Sequence, residues 1–159
     1  MLGFHYEPVY GKGLLYDRKA IVADAERKME SFDVRPRAPL LKTANFSGGN
    51  QQKLVLAREI GREPKILLIG QPTRGVDIGA IEFIHRQLLQ RRDAGCAILL
   101  VSVELDEVMA LGDRILVMCD GRIVGELSAE EADERKLGLL MANAQPIEVR
   151  AAAVVHTPP

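Results

Sequence analysis

The chain has 159 residues, 47% of them hydrophobic and 27% charged, with a formal net charge of −1. This length and composition predict one soluble globular domain, and the near-zero charge excludes a general electrostatic attraction to nucleic acid or anionic lipid. Two cysteines, Cys96 and Cys119, are too few for a disulfide framework or a cysteine-based metal site, so we expect reduced, buried thiols. No signal-peptide pattern and no apolar run near the ~20 residues that span a bilayer are found, which favours a cytosolic protein.

The first part of the chain is predicted to be largely helical. Residues 1–17 carry scattered glycines and aromatics and are predicted to be a loop or a truncated end. A helix is predicted to follow Asp17, a good N-cap, because apolar residues then recur at helical spacing; the prolines of residues 33–39 end it. With a second helix at residues 51–60, residues 18–62 form a predicted helical lobe.

Strands and helices alternate in residues 63–143. Short apolar runs bounded by turn residues predict three strands, and such runs are typical of parallel strands that are buried on both faces. Asp120-Gly121 predicts a hairpin to a fourth strand. The predicted strands are 65–69, 97–101, 114–118 and 122–126, and the predicted helices are 78–94, 104–111 and 132–141. Residues 144–159 are predicted to be a disordered tail. The fold class is therefore α/β, with a mostly parallel sheet flanked by helices.

A phosphate site is predicted where the second helix begins. Ser47 is placed to cap that helix, and Gly48 and Gly49 leave the backbone N–H groups uncovered by side chains. Uncovered N–H groups and the positive end of the helix dipole favour an anion. Taken alone, the three residues more often form an ordinary loop and cap than a phosphate site. Lys53, Arg58 and Arg62, further along the helix, are interpreted as a solvated face.

Two sequence runs, residues 47–53 and residues 65–77, together resemble the ATP-binding cassette (ABC) ATPases, which have a P-loop NTPase fold. Residues 47–53, Ser-Gly-Gly-Asn-Gln-Gln-Lys, resemble the family's signature motif, with Asn50 where most members have Gln. Residues 65–77 resemble its Walker B strand followed by its D-loop, Pro-Thr-Arg-Gly-Val-Asp at 72–77. Both variants are similar to the second cassette of double-cassette ATP-binding proteins that drive nucleoside and simple-sugar importers. The resemblance covers about residues 14–142.

The departures from the family concern hydrolysis. The glycine-rich loop that grips the phosphates is absent, so the strand leading into it is expected to be missing, which leaves an unpaired edge beside residues 97–102. The family's Mg²⁺-holding Asp is Gly70, its catalytic Glu is Gln71, and its switch His is Val103. Glycine offers no metal ligand and an amide cannot take a proton from water. The resemblance therefore implies no catalytic or metal site of the chain's own.

What the resemblance leaves is a contribution in trans. In the family, the signature of one cassette covers ATP that its partner holds, so Ser47, Gly48, Gly49 and Asn50 are expected to bind ATP in trans, with Asp77 as the D-loop contact. The expected cofactor is ATP with Mg²⁺, held mainly by a partner cassette on the same or another polypeptide. Transmembrane permease subunits are the other expected partners, which implies a peripheral position on the inner face of the plasma membrane.

Two other functions stay open. The chain is alternatively a truncated interaction module that binds no nucleotide, which the missing strand favours. The weakest alternative is an independent phosphatase-like enzyme, for which a nucleophile, a metal site and a phosphate-gripping lysine are lacking. Although the family hydrolyses ATP, we predict that the isolated chain is inactive. The cargo, nucleoside or sugar, is left open by the sequence.

Overall fold

The computed structural model describes residues 7–12 and 15–142, which divide into two compact units, one through Leu99 and one from Leu100. The predictions for residues 1–6 and for the tail at 144–159 lie outside the described residues. The elements, in chain order, are β1 Gly11–Lys12, β2 Leu15–Tyr16, α1 Arg18–Ser31, α2 Gly48–Ile60, β3 Ile66–Gly70, α3 Ile78–Asp93, β4 Ala97–Val101, α4 Leu105–Leu111, β5 Arg114–Cys119, β6 Arg122–Ser128 and α5 Glu134–Met141. Single turns of 3₁₀ helix lie at Pro8–Tyr10 and Thr43–Asn45.

The helical elements of the first unit follow the sequence prediction closely. Asp17 caps α1, because its side chain accepts hydrogen bonds from the backbone N–H groups of Lys19 and Ala20. Helix α2 packs against both α1 and α3. The apolar side chains that these three helices bury are Met29, Leu56, Ala57, Ile60, Ala80, Ile84 and Leu88. Removal of these side chains from water stabilises the helical layer that carries the candidate site.

The segment before α1 differs from the predicted loop. Strands β1 and β2 pair in antiparallel register, Gly11 opposite Tyr16, and the preceding turn of 3₁₀ helix buries Tyr10. The Tyr10 hydroxyl donates a 2.7 Å hydrogen bond to Asp24 Oδ2 on α1, and Lys28 Nζ lies 2.8 Å from the same oxygen. The sequence analysis missed this segment because strands of two residues are too short to show an alternating pattern.

Strands β3 and β4 form a two-stranded sheet joined through α3, and here the predicted burial is wrong. Leu67 is buried, but Ile66 and Leu68 on the opposite face are 70% and 73% exposed. Leu99 on β4 is 56% exposed. Successive strand residues point to opposite faces, so the sheet has one buried face and one bare apolar face. The sequence was read correctly as apolar on both faces, but the described residues supply no layer for the second one.

The second unit is built on a hairpin. Strands β5 and β6 pair in antiparallel register through the predicted Asp120-Gly121 turn, where both residues have positive φ (49° and 74°), as a type I′ turn requires. One face of the hairpin packs on α5, and the core of the unit consists of Ile115, Val117, Leu137 and Leu140. The other face carries exposed apolar residues, namely Leu116, Met118 and Ile123.

Candidate functional site

Ser47 occupies the N-cap of α2, as predicted, although the helix begins three residues earlier than the sequence indicated. Its backbone is extended and its Oγ accepts a 3.5 Å hydrogen bond from the Asn50 backbone N–H. Gly48 and Gly49 are the first two helical residues, and first-turn N–H groups have no carbonyl partner within the helix. Ser47 and Gly48 are exposed and Gly49 is buried, so the helix is open to a ligand at its first residue.

Asn50 fixes the direction of the Ser47 hydroxyl. The Asn50 side-chain Oδ1 accepts a 2.7 Å hydrogen bond from the backbone N–H of Arg35, and its Nδ2 donates to Ser47 Oγ at 2.9 Å. A backbone N–H is only a donor, so it fixes the oxygen of the amide toward Arg35 and the NH₂ toward Ser47. Ser47 Oγ is thereby an acceptor in both contacts, and its own proton is left to be donated outward.

The two glycines pack against the D-loop, residues 72–77. A Cβ on Gly48 would lie 3.3 Å from the carbonyl oxygen of Gly75, and one on Gly49 would lie 3.1 Å from Asp77 Oδ2. Asp77 caps α3, because its Oδ1 accepts a 2.9 Å hydrogen bond from the Ala80 N–H. The structure therefore brings together Ser47, Gly48, Gly49, Asn50 and Asp77, all of which the sequence singled out.

Lys53 is not part of a solvated face, contrary to the interpretation of the sequence. Its side chain is only 13% exposed, and Nζ donates a 3.2 Å hydrogen bond to the backbone carbonyl of Asp33. The ammonium also lies 4.9 Å from the centroid of the Phe83 ring, a cation–π contact. Lys53 and Asn50 thus hold residues 33–35 against α2, three residues apart on one helix face. Sequence reasoning missed both contacts because their partners are 20 and 15 residues away.

Gly70 and Gln71 lie where β3 ends. A Cβ on Gly70 would meet no atom within 4 Å, and Gln71 has a left-handed backbone with φ of 51°. The Gln71 carbonyl accepts a 3.2 Å hydrogen bond from the Arg74 N–H, which starts the D-loop turn. Val103 belongs to the second unit, where it is exposed after β4.

The cradle formed by Ser47, Gly48, Gly49 and Asn50 fits a phosphate better than it fits a metal ion. Its polar groups are N–H donors and an outward hydroxyl proton, which suit an anion. Among residues 7–12 and 15–142, no three His, Cys, Asp or Glu side chains come together as a metal site requires. At the end of β3, Gly70 and Gln71 supply no carboxylate. These residues fit a phosphate group and do not fit a metal ion.

No family model matches the chain. It is 47% identical over 137 residues to the nucleoside import ATP-binding protein NupA of Lactococcus lactis, and 44% identical over 139 residues to the guanosine import ATP-binding protein NupO of Bacillus subtilis. These alignments cover 86% and 87% of the chain and 27% of each relative. The ribose import ATP-binding protein RbsA of Streptococcus agalactiae is 41% identical, over 80% of the chain and 26% of that protein. The chain thus spans about a quarter of the length of these relatives.

Solved structures give the same fold. MJ0796, a dimeric bacterial ABC transporter cassette, superimposes with a TM-score of 0.62 at 24% identity, over 74% of the chain and 50% of the cassette. The ATP-binding subunit of an ABC transporter superimposes with a TM-score of 0.63 at 22% identity, over 76% of the chain and 55% of that subunit. At these identities the likeness establishes the fold alone.

The fold is therefore a partial ABC cassette of the α/β class, as the sequence predicted. With its relatives among nucleoside and sugar import proteins, the chain belongs to the ABC transporter ATPases. Helices long and apolar enough to cross a membrane do not occur in the described part of the chain.

Proposed function

We propose that the chain is the signature-bearing part of an ATP-binding protein for nucleoside or simple-sugar import. It supplies Ser47, Gly48, Gly49 and Asn50 to ATP and Mg²⁺ that a partner cassette holds. The observation that carries this proposal is the pair of contacts at Ser47. Because Asn50 makes Ser47 Oγ an acceptor twice, the hydroxyl proton is available to a ligand beside the N-terminus of α2. Fixed donors of this kind stabilise charge that develops on a phosphate oxygen.

Hydrolysis is proposed to occur only at the partner's phosphate loop. Gly70, Gln71 and Val103 replace the three family side chains that hold Mg²⁺, activate water and contact the terminal phosphate. We propose that Asp77 couples the two cassettes across their interface, because its Oδ2 lies next to Gly49 of the signature. Permease subunits would hold the assembly at the inner face of the plasma membrane, and the names of the relatives favour nucleosides or sugars as cargo.

The isolated chain tests the first half of the proposal. We expect it to bind ATP weakly or not at all and to show no turnover, since it supplies neither a phosphate-gripping lysine loop nor a base. The measurement is phosphate release by the purified chain beside the same chain with Ser47→Ala. Turnover that survives purification and disappears in the Ser47→Ala chain would contradict the proposal, because the site would then be complete in one molecule.

A reconstituted transporter tests the second half. In an assembly that carries this signature opposite a phosphate-loop cassette, Ser47→Ala is expected to lower ATP turnover by about 10²-fold or more, as the loss of one transition-state donor does elsewhere. Gln71→Ala is the matched control and is expected to leave turnover within about twofold, since an amide contributes no base. Equal losses from both substitutions would show that the chain's own side of the dimer hydrolyses ATP.

A further inference from the structure

Lys53 is a cation that contacts two other segments of the first unit. Its Nζ donates a 3.2 Å hydrogen bond to the carbonyl of Asp33, on the loop after α1, and lies 3.8 Å from Asp33 Oδ2. The same Nζ lies 4.9 Å from the ring centroid of Phe83 on α3. The Lys53 side chain is 13% exposed, and a cation–π contact is stronger when it is withdrawn from water. One buried charge therefore joins α2 both to α3 and to the loop that follows α1.

The Phe83 ring that Lys53 contacts is itself packed against α1. Its centroid lies 6.0 Å from that of Phe32, with 66° between the ring planes, which is an edge-to-face arrangement. Phe32, at the C-terminal end of α1, is buried. An edge-to-face pair has a preferred geometry, so the neighbouring ring limits how Phe83 is oriented. Lys53 thus contacts an aromatic side chain that the core already holds in place.

The contact of Lys53 with Phe83 continues a second contact between α2 and α3. Gly49 lies one helical turn before Lys53 on α2, and a Cβ on Gly49 would lie 3.3 Å from Ala80 Cβ and 3.1 Å from Asp77 Oδ2. Ala80 lies one turn before Phe83 on α3. Residues three or four apart share a helix face, so the two contacts are neighbours and depend on one spacing between the helices. The contact of Lys53 with the ring therefore helps to set how closely the D-loop approaches the cradle.

The contact of Lys53 with Asp33 acts on the other part of the cradle. Asp33 is two residues before Arg35. The Arg35 N–H donates a 2.7 Å hydrogen bond to Asn50 Oδ1, and Asn50 Nδ2 donates to Ser47 Oγ. Residues 33–35 are thus held at both ends by side chains of α2. A shift at residue 33 moves the donor that orients the Asn50 amide, and with it the hydrogen bond to Ser47.

We propose that Lys53 is a positioning residue that couples the D-loop to the cradle. Its charge sets both the gap between Asp77 and Gly49 and the position of the loop that orients Asn50. The consequence for ATP turnover rests on the proposed function, whereas the coupling itself is a property of this chain. Methionine at position 53 would keep an unbranched apolar stem and lose both contacts of the ammonium, so Lys53→Met removes the charge with little change in packing.

Hydrogen exchange of the full chain, followed by NMR, tests the coupling without nucleotide. In Lys53→Met we expect the amides of Ala80 and Arg35 to exchange at least about fivefold faster, because each depends on a segment that the ammonium holds. The Ala80 amide reports on the D-loop, since it donates to Asp77 Oδ1. The Ala20 amide in the cap of α1 is the internal reference and should exchange at an unchanged rate.

Three further variants separate the charge from the packing. Lys53→Arg keeps the cation and should leave both reporter amides within about twofold of their original rates. Arg58→Met is the matched control, because it removes a 41% exposed cation from the same helix and should change neither rate. Phe83→Leu should accelerate exchange at Ala80 but not at Arg35. Combined with Lys53→Met, it should add no further change at Ala80, because the two side chains form one contact.

The reconstituted transporter tests the consequence for catalysis. Lys53→Met is expected to lower kcat for ATP at least about fivefold and to leave KM within about twofold, because Lys53 is engaged within the chain and acts on the donors that the transition state needs. Lys53→Arg should retain kcat within about threefold. Arg58→Met should match the unsubstituted protein in both constants.

Three results would overturn the coupling. One is unchanged exchange at Ala80 and Arg35 in Lys53→Met. Another is equal acceleration in Lys53→Met and Lys53→Arg, which would assign the role to packing. The third is acceleration that extends equally to Ala20, which would mean general loosening of the unit. If Ser47→Ala lowers turnover and Lys53→Met does not, the coupling fails and the proposed function stands. If Ser47→Ala leaves turnover unchanged while the exchange pattern appears, the proposed function fails and the coupling stands.

Discussion

Asn50 determines the chemistry of the cradle through its two ends. Its Oδ1 holds the backbone of Arg35 at 2.7 Å and its Nδ2 holds Ser47 Oγ at 2.9 Å, so one side chain joins the loop after α1 to the cap of α2. Most members of the family have Gln at this position, which is one methylene longer. The shorter amide in this chain ties the direction of the Ser47 proton to the position of residue 35.

Replacing this amide by a carboxylate separates the two contacts. In Asn50→Asp, one oxygen still accepts from the Arg35 N–H, but the other becomes an acceptor and turns the Ser47 proton inward. We expect the Arg35 amide to keep its protection from hydrogen exchange, while support of ATP turnover in the reconstituted transporter falls about as far as in Ser47→Ala. Hydrogen exchange by NMR and phosphate release are the two measurements.

Asn50→Leu is the control, because it removes both contacts. Its Arg35 amide should exchange faster, and its free energy of unfolding should fall by about 1–2 kcal/mol for two lost hydrogen bonds. Turnover in Asn50→Asp that equals that of the unsubstituted chain would show that the direction of the Ser47 proton is unimportant.

At the residue scale, the sequence predicted whatever depends on near neighbours. Ser47 and Asp77 were recognisable because an N-cap needs only a short polar side chain followed by a helix. The Asn50–Arg35 and Lys53–Asp33 contacts were not predictable, because they depend on how residues 33–39 return past α2. Prolines in that segment indicate that the helix ends but not where the chain then goes.

At the scale of elements, the contact between α2 and the D-loop is close enough to exclude a methyl group. Gly49→Ala would place Cβ 3.1 Å from Asp77 Oδ2 and 3.3 Å from Ala80 Cβ, so we expect a loss of about 1–3 kcal/mol in the free energy of unfolding. Gly138→Ala in α5 is the control, since its Cβ meets nothing within 4 Å and alanine favours a helix interior by about 0.5–1 kcal/mol. Urea denaturation measures the free energy of unfolding of both variants. A Gly49→Ala chain that is as stable as the unsubstituted chain would show that the D-loop moves aside easily.

The contact between the segment at Tyr10 and α1 makes stability depend on pH. Burial alone would raise the pKa of Asp24, but hydrogen bonds from Lys28 and Tyr10 outweigh it and lower the pKa below 3.8. A lowered carboxyl pKa stabilises the fold above the unfolded-state value, and this contribution is lost as the pH falls through the folded-state pKa. Asp24→Asn should therefore cost about 1 kcal/mol near neutral pH and progressively less below pH 3.8.

Tyr10→Phe is the matched control for that prediction. It removes one neutral donor to Asp24 and leaves the carboxylate and Lys28 in place, so its cost should persist over the neutral range and shrink less in acid. Thermal unfolding of the three proteins between pH 2 and pH 7 provides the measurement. A cost of Asp24→Asn that does not change with pH would exclude the ion pair as its cause.

The helices and strands also divide into those that the sequence predicted and those that it did not. Helices α1 and α3, strand β4 and the Asp120-Gly121 hairpin lie within a residue or two of their predicted bounds, because capping residues and apolar runs mark their ends. Helix α2 begins at Gly48, whereas the sequence predicted Gln51, because glycine is a poor helix former and its place in the first turn was not recognisable. The Ser47 cap allows both glycines to lie in that turn. The pair β1–β2 has no pattern long enough to read.

At the scale of the whole molecule, each unit has one covered and one bare sheet face. The bare residues are Ile66, Leu68 and Leu99 in the first unit and Leu116, Met118 and Ile123 in the second. The strand sequences predicted burial on both faces, and the structure covers one face only. Which layer covers them is not encoded in the strands, so only the structure could show that one face is open.

Such faces should bind an apolar dye while the protein is folded. We expect the native chain to enhance the fluorescence of anilinonaphthalene sulfonate, and Leu68→Glu combined with Met118→Glu to reduce that enhancement at least about twofold, since each carboxylate interrupts one patch. The control is Leu40→Glu, because Leu40 is 73% exposed and lies on the loop before α2. Arg114→Gln is unsuitable as a control because Arg114 forms an ion pair with Glu126. An undiminished signal in the double variant would place the dye elsewhere.

The open face of β3–β4 also has a consequence for the protein in a living cell. Cellular chaperones and proteases act on chains that expose apolar surface. The cellular lifetime of this chain should therefore rise when that face is covered, without any change in its own sequence.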